Sequence, residues 1–181
     1  MTEKEASDLY GTFIALVFLT PFIGGLVADR YLGYKKSIVI GGLMMGAGYF
    51  MMGIHSLPML YLAMTLVIVG NGFFKPHIST LLGNFYNEDQ YKEKKDEGYN
   101  IFYMGINVGA FICNFFGAAL QILLGWQYAF MAAGVGMFIG VIVFLLGTKH
   151  YGDKTDKKGT QEGDMPFYKI VLFILLPSAV F

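Results

Sequence analysis

The stretch MLYLAMTLVIVGNGFFKPHISTLLGNFY, residues 59–86, is an apolar run interrupted by one charged side chain, Lys75. An α-helix needs roughly 20 such residues to cross about 30 Å of hydrocarbon, and this run is long enough. It lacks the alternating period of a barrel strand, and in lipid each backbone amide must find its partner within the segment, so the run predicts a membrane-spanning helix. At 1.5 Å per residue, Lys75 lies about 24 Å along that helix from Met59 and about 16 Å from Tyr86. An ammonium this deep costs about 2.5–3.5 kcal/mol on insertion scales. It therefore calls for a water-filled cavity or an acidic partner.

Working outward, the same pattern recurs at Tyr10–Ala28, Ser37–Ile54, Tyr99–Leu124 and Gln127–Gly147, with a shorter run at Phe167–Phe181. Charged residues make up 14% of the chain, against about a quarter in soluble domains, and they are segregated into the connections between runs. The fold class expected is an all-α membrane bundle of about five complete helices plus the start of another. In this division residues 1–9 form an amino-terminal segment, 10–147 the bundle, 148–165 a polar linker, and 166–181 the start of a further helix. Gly42 and Gly46, Gly105 and Gly109, and Gly136 and Gly140 stand four apart and are expected to be seams where helices approach closely.

Orientation follows from the basic residues. Arg30, Lys35 and Lys36 follow the first run, Lys92, Lys94 and Lys95 the third, and Lys149, Lys154, Lys157 and Lys158 the fifth. The other two connections, at Ser56–Pro58 and Gly125–Trp126, carry no Lys or Arg. The basic loops thus share one side, which the positive-inside rule makes cytoplasmic in a multi-pass protein of the cell membrane. The amino terminus, with Glu3, Glu5 and Asp8, then falls outside with no preceding helix to carry it there. This predicts a chain that lacks its first helix.

Few side chains are candidates for chemistry. No metal-ligand cluster, phosphate loop or nucleophile with a base is present, so the expectation is no enzyme, no metal and no cofactor. Zero formal net charge, with basic residues spread over loops, gives no case for nucleic acid. Cys113 lies within an apolar run and has no second cysteine to pair with.

Lys75 remains, with Asn71 and Ser79 on its face of the helix. The alternative, a lysine that snorkels or locks the bundle, is opposed by its depth and by the lack of another charge within the complete runs. Asn100, Tyr103, Asn107 and Asn114 form a polar stripe on the next helix, of the kind that often bridges neighbouring helices; for Tyr103 and Asn107 cavity lining is an equally good reading. Pro76, after Gly70 and Gly72, predicts a bend, either hinge or static kink. His77 is better read as a hydrogen-bonded packing residue than as a proton carrier.

Three segments carry a resemblance: Gly24–Gly33 (GGLVADRYLG), Gly70–Thr80 (GNGFFKPHIST) and Phe102–Phe111 (FYMGINVGAF). In these the chain resembles the proton-dependent oligopeptide transporter family, a branch of the major facilitator superfamily, in order from about Ala6 to Gly147. The resemblance makes the five complete runs that family's second to sixth helices. It implies symport of di- and tripeptides with protons as coupling ion, with no other cofactor and with membrane lipid around the bundle. Lys75 matches the lysine at the peptide carboxylate and in proton coupling, Tyr103 and Asn107 match cavity positions, and Asn71, on the Lys75 face, joins them as a candidate for substrate binding or proton coupling. Gly25, Asp29, Arg30 and Gly33 match the cytoplasmic gate motif.

The chain also departs from the pattern. A first helix with the Glu-x-x-Glu-Arg motif and a carboxy-terminal half are missing partners. Phe18 stands where a cavity tyrosine is common, and His77 where asparagine is usual. Relatives of this branch also carry nitrate and other small solutes, which keeps such cargo open. A non-transporting membrane subunit completed by a partner is the other alternative.

Overall fold

The computed structural model describes residues 2–27, 31–87 and 91–148. Five long helices follow in order: α1 (Glu3–Val27), α2 (Tyr34–Met52), α3 (Leu57–Phe85), α4 (Lys95–Leu124) and α5 (Trp126–Gly147), with a single 3₁₀ turn at Lys92–Lys94 before α4. No strand occurs among the described residues. Asp29 and Arg30 lie outside them, as do the expected linker from residue 149 onward and the run at 166–181.

α1 begins earlier than its apolar run. The backbone N–H of Thr2 donates to Glu5 Oε2 at 2.7 Å, while the Glu5 N–H donates to Thr2 Oγ1 at 3.3 Å. This reciprocal cap satisfies two amides that have no partner inside the helix, and Glu3 and Glu5 favour the positive end of the helix dipole. The expected separate segment at residues 1–9 is therefore helical from Glu3, because capping rather than hydropathy sets its start.

Two turns depend on glycine. Gly33, at φ 79°, leads into α2, and its carbonyl accepts both the Ser37 N–H at 3.2 Å and Ser37 Oγ at 2.8 Å. Gly125, at φ 103°, is the one residue between α4 and α5. A side chain at such φ values would clash with the backbone, so only glycine turns the chain this tightly at little cost.

The principal contacts run α1 to α3, α3 to α2, α2 to α5, and α5 to α4, which makes the bundle an open arc. α2 is the hub. Its glycines serve two faces: a Cβ at Gly41 would lie 2.6 Å from the Gly70 carbonyl oxygen of α3, and one at Gly46 would lie 2.9 Å from Phe138 of α5. Tyr34, Ile38 and Leu81 form the buried cluster at the α2–α3 crossing, flanked by Phe74, Ile78 and Phe144.

Among the described residues four helices, α1, α3, α4 and α5, are long and apolar enough to cross a membrane. α2, with 19 residues, falls below that measure because it opens on Tyr34-Lys35-Lys36 and holds the glycines that let its neighbours approach.

The glycine pairs divide. Gly42 and Gly46 are a real seam with α5, at Val141 and Phe138. At Gly105, Gly109, Gly136 and Gly140 an added Cβ would meet nothing within 4 Å. Those two expected seams are thus open among the described residues, since these faces of α4 and α5 lie away from the contacts the two helices make. Four-residue spacing puts glycines on one face without naming what the face touches.

Candidate functional site

The seam between α1 and α3 is built around two prolines. Pro21 lies inside α1 and Pro76 inside α3. Proline has no N–H, so each leaves the carbonyl four residues earlier, Val17 and Gly72, without its helical donor. At membrane depth such a carbonyl needs another partner. Asn71 Nδ2 donates to the Val17 carbonyl at 2.8 Å. Against the Gly72 carbonyl lies Gly24 of α1, where a Cβ would collide with the oxygen.

Further ties surround these. Thr20 Oγ1 donates to the Ile68 carbonyl at 2.9 Å, and a Cβ at Gly72 would lie 2.8 Å from the Thr20 carbonyl oxygen. Gly70 and Gly72 are therefore points where neighbouring helices approach α3 closely. α3 runs helical through Pro76 from Leu57 to Phe85.

This seam sets two side chains beside one another. Phe18 follows Val17 directly, and the Lys75 Nζ lies 5.4 Å from the centroid of the Phe18 ring. A cation within about 6 Å of an aromatic face is attracted by the ring's quadrupole. Both side chains are exposed, Phe18 at 71%. Among the described residues no carboxylate pairs with Lys75, and the ring is its partner.

The other expected residues separate by role. Asn71 is a bridge between helices. Tyr103 and Asn107 are exposed on α4, where Asn107 Nδ2 donates to the Tyr103 carbonyl at 2.9 Å and the Tyr103 ring stacks 6.3 Å from that of Tyr99. Neither hydrogen-bonds to Lys75. α4 meets α3 near the turn between them, where Tyr99 donates its hydroxyl to the Ser79 carbonyl at 3.3 Å. Asn114, farther along the stripe, lines a separate cavity of about 800 Å³ between α2, α4 and α5, with Tyr49 and Gln121. Of the gate motif, Gly25 packs 3.8 Å from Pro76, measured from an added Cβ, and Gly33 makes the turn into α2.

His77 is a packing residue. It is 1% exposed, Nδ1 is bonded to the Phe73 carbonyl, and its ring lies 5.8 Å from that of Tyr34. Sequence reasoning missed the partnership of Phe18 with Lys75, for which the apolar run gave no sign. It also missed the Val17 carbonyl, although Pro21 in a membrane run marks an acceptor that needs a donor from elsewhere.

The comparisons with known proteins bear on this arrangement. The family model described as the POT family matches residues 35–174. Dipeptide and tripeptide permease A of Enterobacter sp. (strain 638) is 35% identical over 161 residues, covering 86% of this chain and 32% of the relative. The permease of the same name from Edwardsiella piscicida is 32% identical over 181 residues, covering 97% of this chain and 36% of the relative.

Two crystal structures share the fold. A peptide transporter POT in complex with sulfate aligns with a TM-score of 0.76 at 31% identity, covering 93% of this chain and 34% of that one. A POT family transporter in complex with 5-aminolevulinic acid aligns at 0.73 and 26% identity, covering 93% and 35%. The chain spans about a third of the length of the curated relatives it matches. With a family match over most of its length and the arrangement of α1 to α5 repeated in solved transporters, this membrane protein belongs to the POT family.

Proposed function

We propose that these helices serve proton-coupled symport of di- and tripeptides, as a portion of a transporter about three times as long. The observation that carries the reading is Lys75, an exposed ammonium midway along an apolar helix with no carboxylate partner among the described residues. A cation kept there is repaid by a ligand's anionic group. The peptide carboxylate is that group on this reading, with Tyr103 and Asn107 supplying neutral hydrogen bonds and Asn71 holding the frame. The mechanism is alternating access, in which bundles rock about a central site and protonation of buried carboxylates decides which side is open. Protons are the coupling ion and no other cofactor takes part. The protein is a transporter and not an enzyme, set in the cell membrane with its basic loops in the cytoplasm. Lipid surrounds the bundle, a first helix and a carboxy-terminal half complete the cavity, and nucleic acid has no part.

One observation favours a different cargo. Phe18 offers no hydroxyl to a peptide, and a POT family transporter of the same fold is known in complex with 5-aminolevulinic acid. The test is a chimera in which residues 6–147 replace the matching segment of a dipeptide and tripeptide permease, assayed for proton-driven uptake of labelled dialanine in proteoliposomes. The expected result is uptake that unlabelled dipeptides block and nitrate or 5-aminolevulinic acid does not. Lys75→Ala should lower it about 10- to 100-fold, as removing a hydrogen bond to a charged group does, with insertion intact. Wild-type uptake by that variant would refute the role of Lys75.

A further inference from the structure

We infer that Tyr99, with Tyr86 as its counterpart, pins the axial register of α4 against α3, and so sets Tyr103 level with Lys75 and Asn107 level with Asn71. Tyr99 is a positioning residue that acts through Tyr103 and Asn107. Its effect on a ligand rests on the reading that these residues share one site, whereas the pin itself does not.

The contact is reciprocal. Tyr99 of α4 donates its hydroxyl to the Ser79 carbonyl of α3 at 3.3 Å. The same hydroxyl sits over Gly83 of α3, where a Cβ would lie 2.6 Å from it. In the other direction the Tyr86 ring, at the end of α3, lies against Gly98 of α4, where a Cβ would collide with the ring. Both glycines are buried and both tyrosines half-buried against these two helices, so neighbours packed elsewhere on the bundle add to the contact without replacing it. Each ring occupies a gap that glycine leaves on the opposite helix. A slide of either helix along the other carries a ring off its glycine and onto a neighbouring side chain.

Register then follows from helix geometry. α3 runs toward the turn and α4 away from it, so equal steps from the Tyr99–Ser79 contact keep residues level. One step of four residues, about 6 Å, leads from Ser79 to Lys75 and from Tyr99 to Tyr103. A second leads to Asn71 and to Asn107. Steps of four also keep each set on one face of its helix. A slip by a single residue moves Tyr103 and Asn107 by about 1.5 Å past Lys75 and Asn71, enough to carry a hydrogen bond to a shared ligand out of range.

The experiment has a structural and a functional arm. The full chain with Cys113→Ala carries nitroxides on Leu62→Cys of α3 and Ile106→Cys of α4, both exposed positions, in phosphatidylcholine nanodiscs, and the spin–spin distance is measured. Tyr99→Ala should shift the mean distance by about 1.5–5 Å, between one residue and one turn. Should that variant not fold, Gly98→Ala, which displaces the Tyr86 ring, gives the same reading. An unchanged distance in the folded variant overturns the pin. In the chimera described above, Tyr99→Ala should raise the half-saturating dialanine concentration about five- to tenfold, as loss of one or two neutral hydrogen bonds does, with maximal uptake per inserted molecule unchanged. On a Tyr103→Phe/Asn107→Ala background the same change should raise it less than about twofold, because the bonds it misaligns are already gone. An equal rise on both backgrounds overturns the positioning role. If the distance shifts while Tyr103→Phe/Asn107→Ala leaves half-saturation unchanged, the pin stands and the reading that these residues hold the peptide fails.

Discussion

Asn71 of α3 donates to the carbonyl of Val17 in α1, at 2.8 Å, the hydrogen bond that Pro21 cannot give. One side chain thereby repairs a helix in which it does not lie, and ties the two helices together beside Lys75. The amide is committed to structure, and its value should appear in stability before it appears in transport.

Asn71→Ala is expected to destabilise the bundle by about 1–2 kcal/mol, the range for a polar contact between membrane helices or a buried carbonyl left without a donor. Pro21→Ala on that background should restore most of the loss, because residue 21 then supplies its own N–H. Unfolding in mixed micelles measures both. Equal destabilisation of the single and double variants would show that the Val17 carbonyl is not what Asn71 serves.

Glycine contacts give a paired prediction. Gly24→Ala drives a methyl into the Gly72 carbonyl and should cost about 1–3 kcal/mol through displaced backbone. Gly105→Ala meets nothing within 4 Å and should be neutral or slightly stabilising through helix propensity. Thermal unfolding of the two variants checks the contrast, and similar losses would contradict the seam.

Asn107 should behave in the opposite way to Asn71. Among the described residues its amide bonds the carbonyl of Tyr103 in its own helix, on an exposed face. Asn107→Ala is expected to change stability by less than about 0.5 kcal/mol. Any loss of dialanine uptake in the chimera described above then reads on the ligand rather than on folding. A large loss of stability would make Asn107 a bridge after all.

His77→Ala should cost about 2–4 kcal/mol, since it empties a buried site against Tyr34 and removes the bond to Phe73. Uptake per folded molecule should be unchanged. A selective loss of proton coupling, with stability intact, would restore His77 to the proton pathway.

The sequence alone determined the five helices, the placing of charge in their connections and the position of Lys75 within an apolar run. These are local matters, because a run of apolar residues in lipid must bond its own backbone and so must be helical, whatever surrounds it. It also placed Asn71 on the face of Lys75, and Gly42 with Gly46 on one face of α2. Tertiary structure decided what those faces meet. Helical period fixes a direction but not a neighbour, and contacts between membrane helices are specific van der Waals and hydrogen-bonded fits between segments far apart in the chain. Hence Gly46 packs on Phe138 while Gly105 packs on nothing described, Asn71 turns to Val17, and the ammonium of Lys75 rests over a ring 57 residues away.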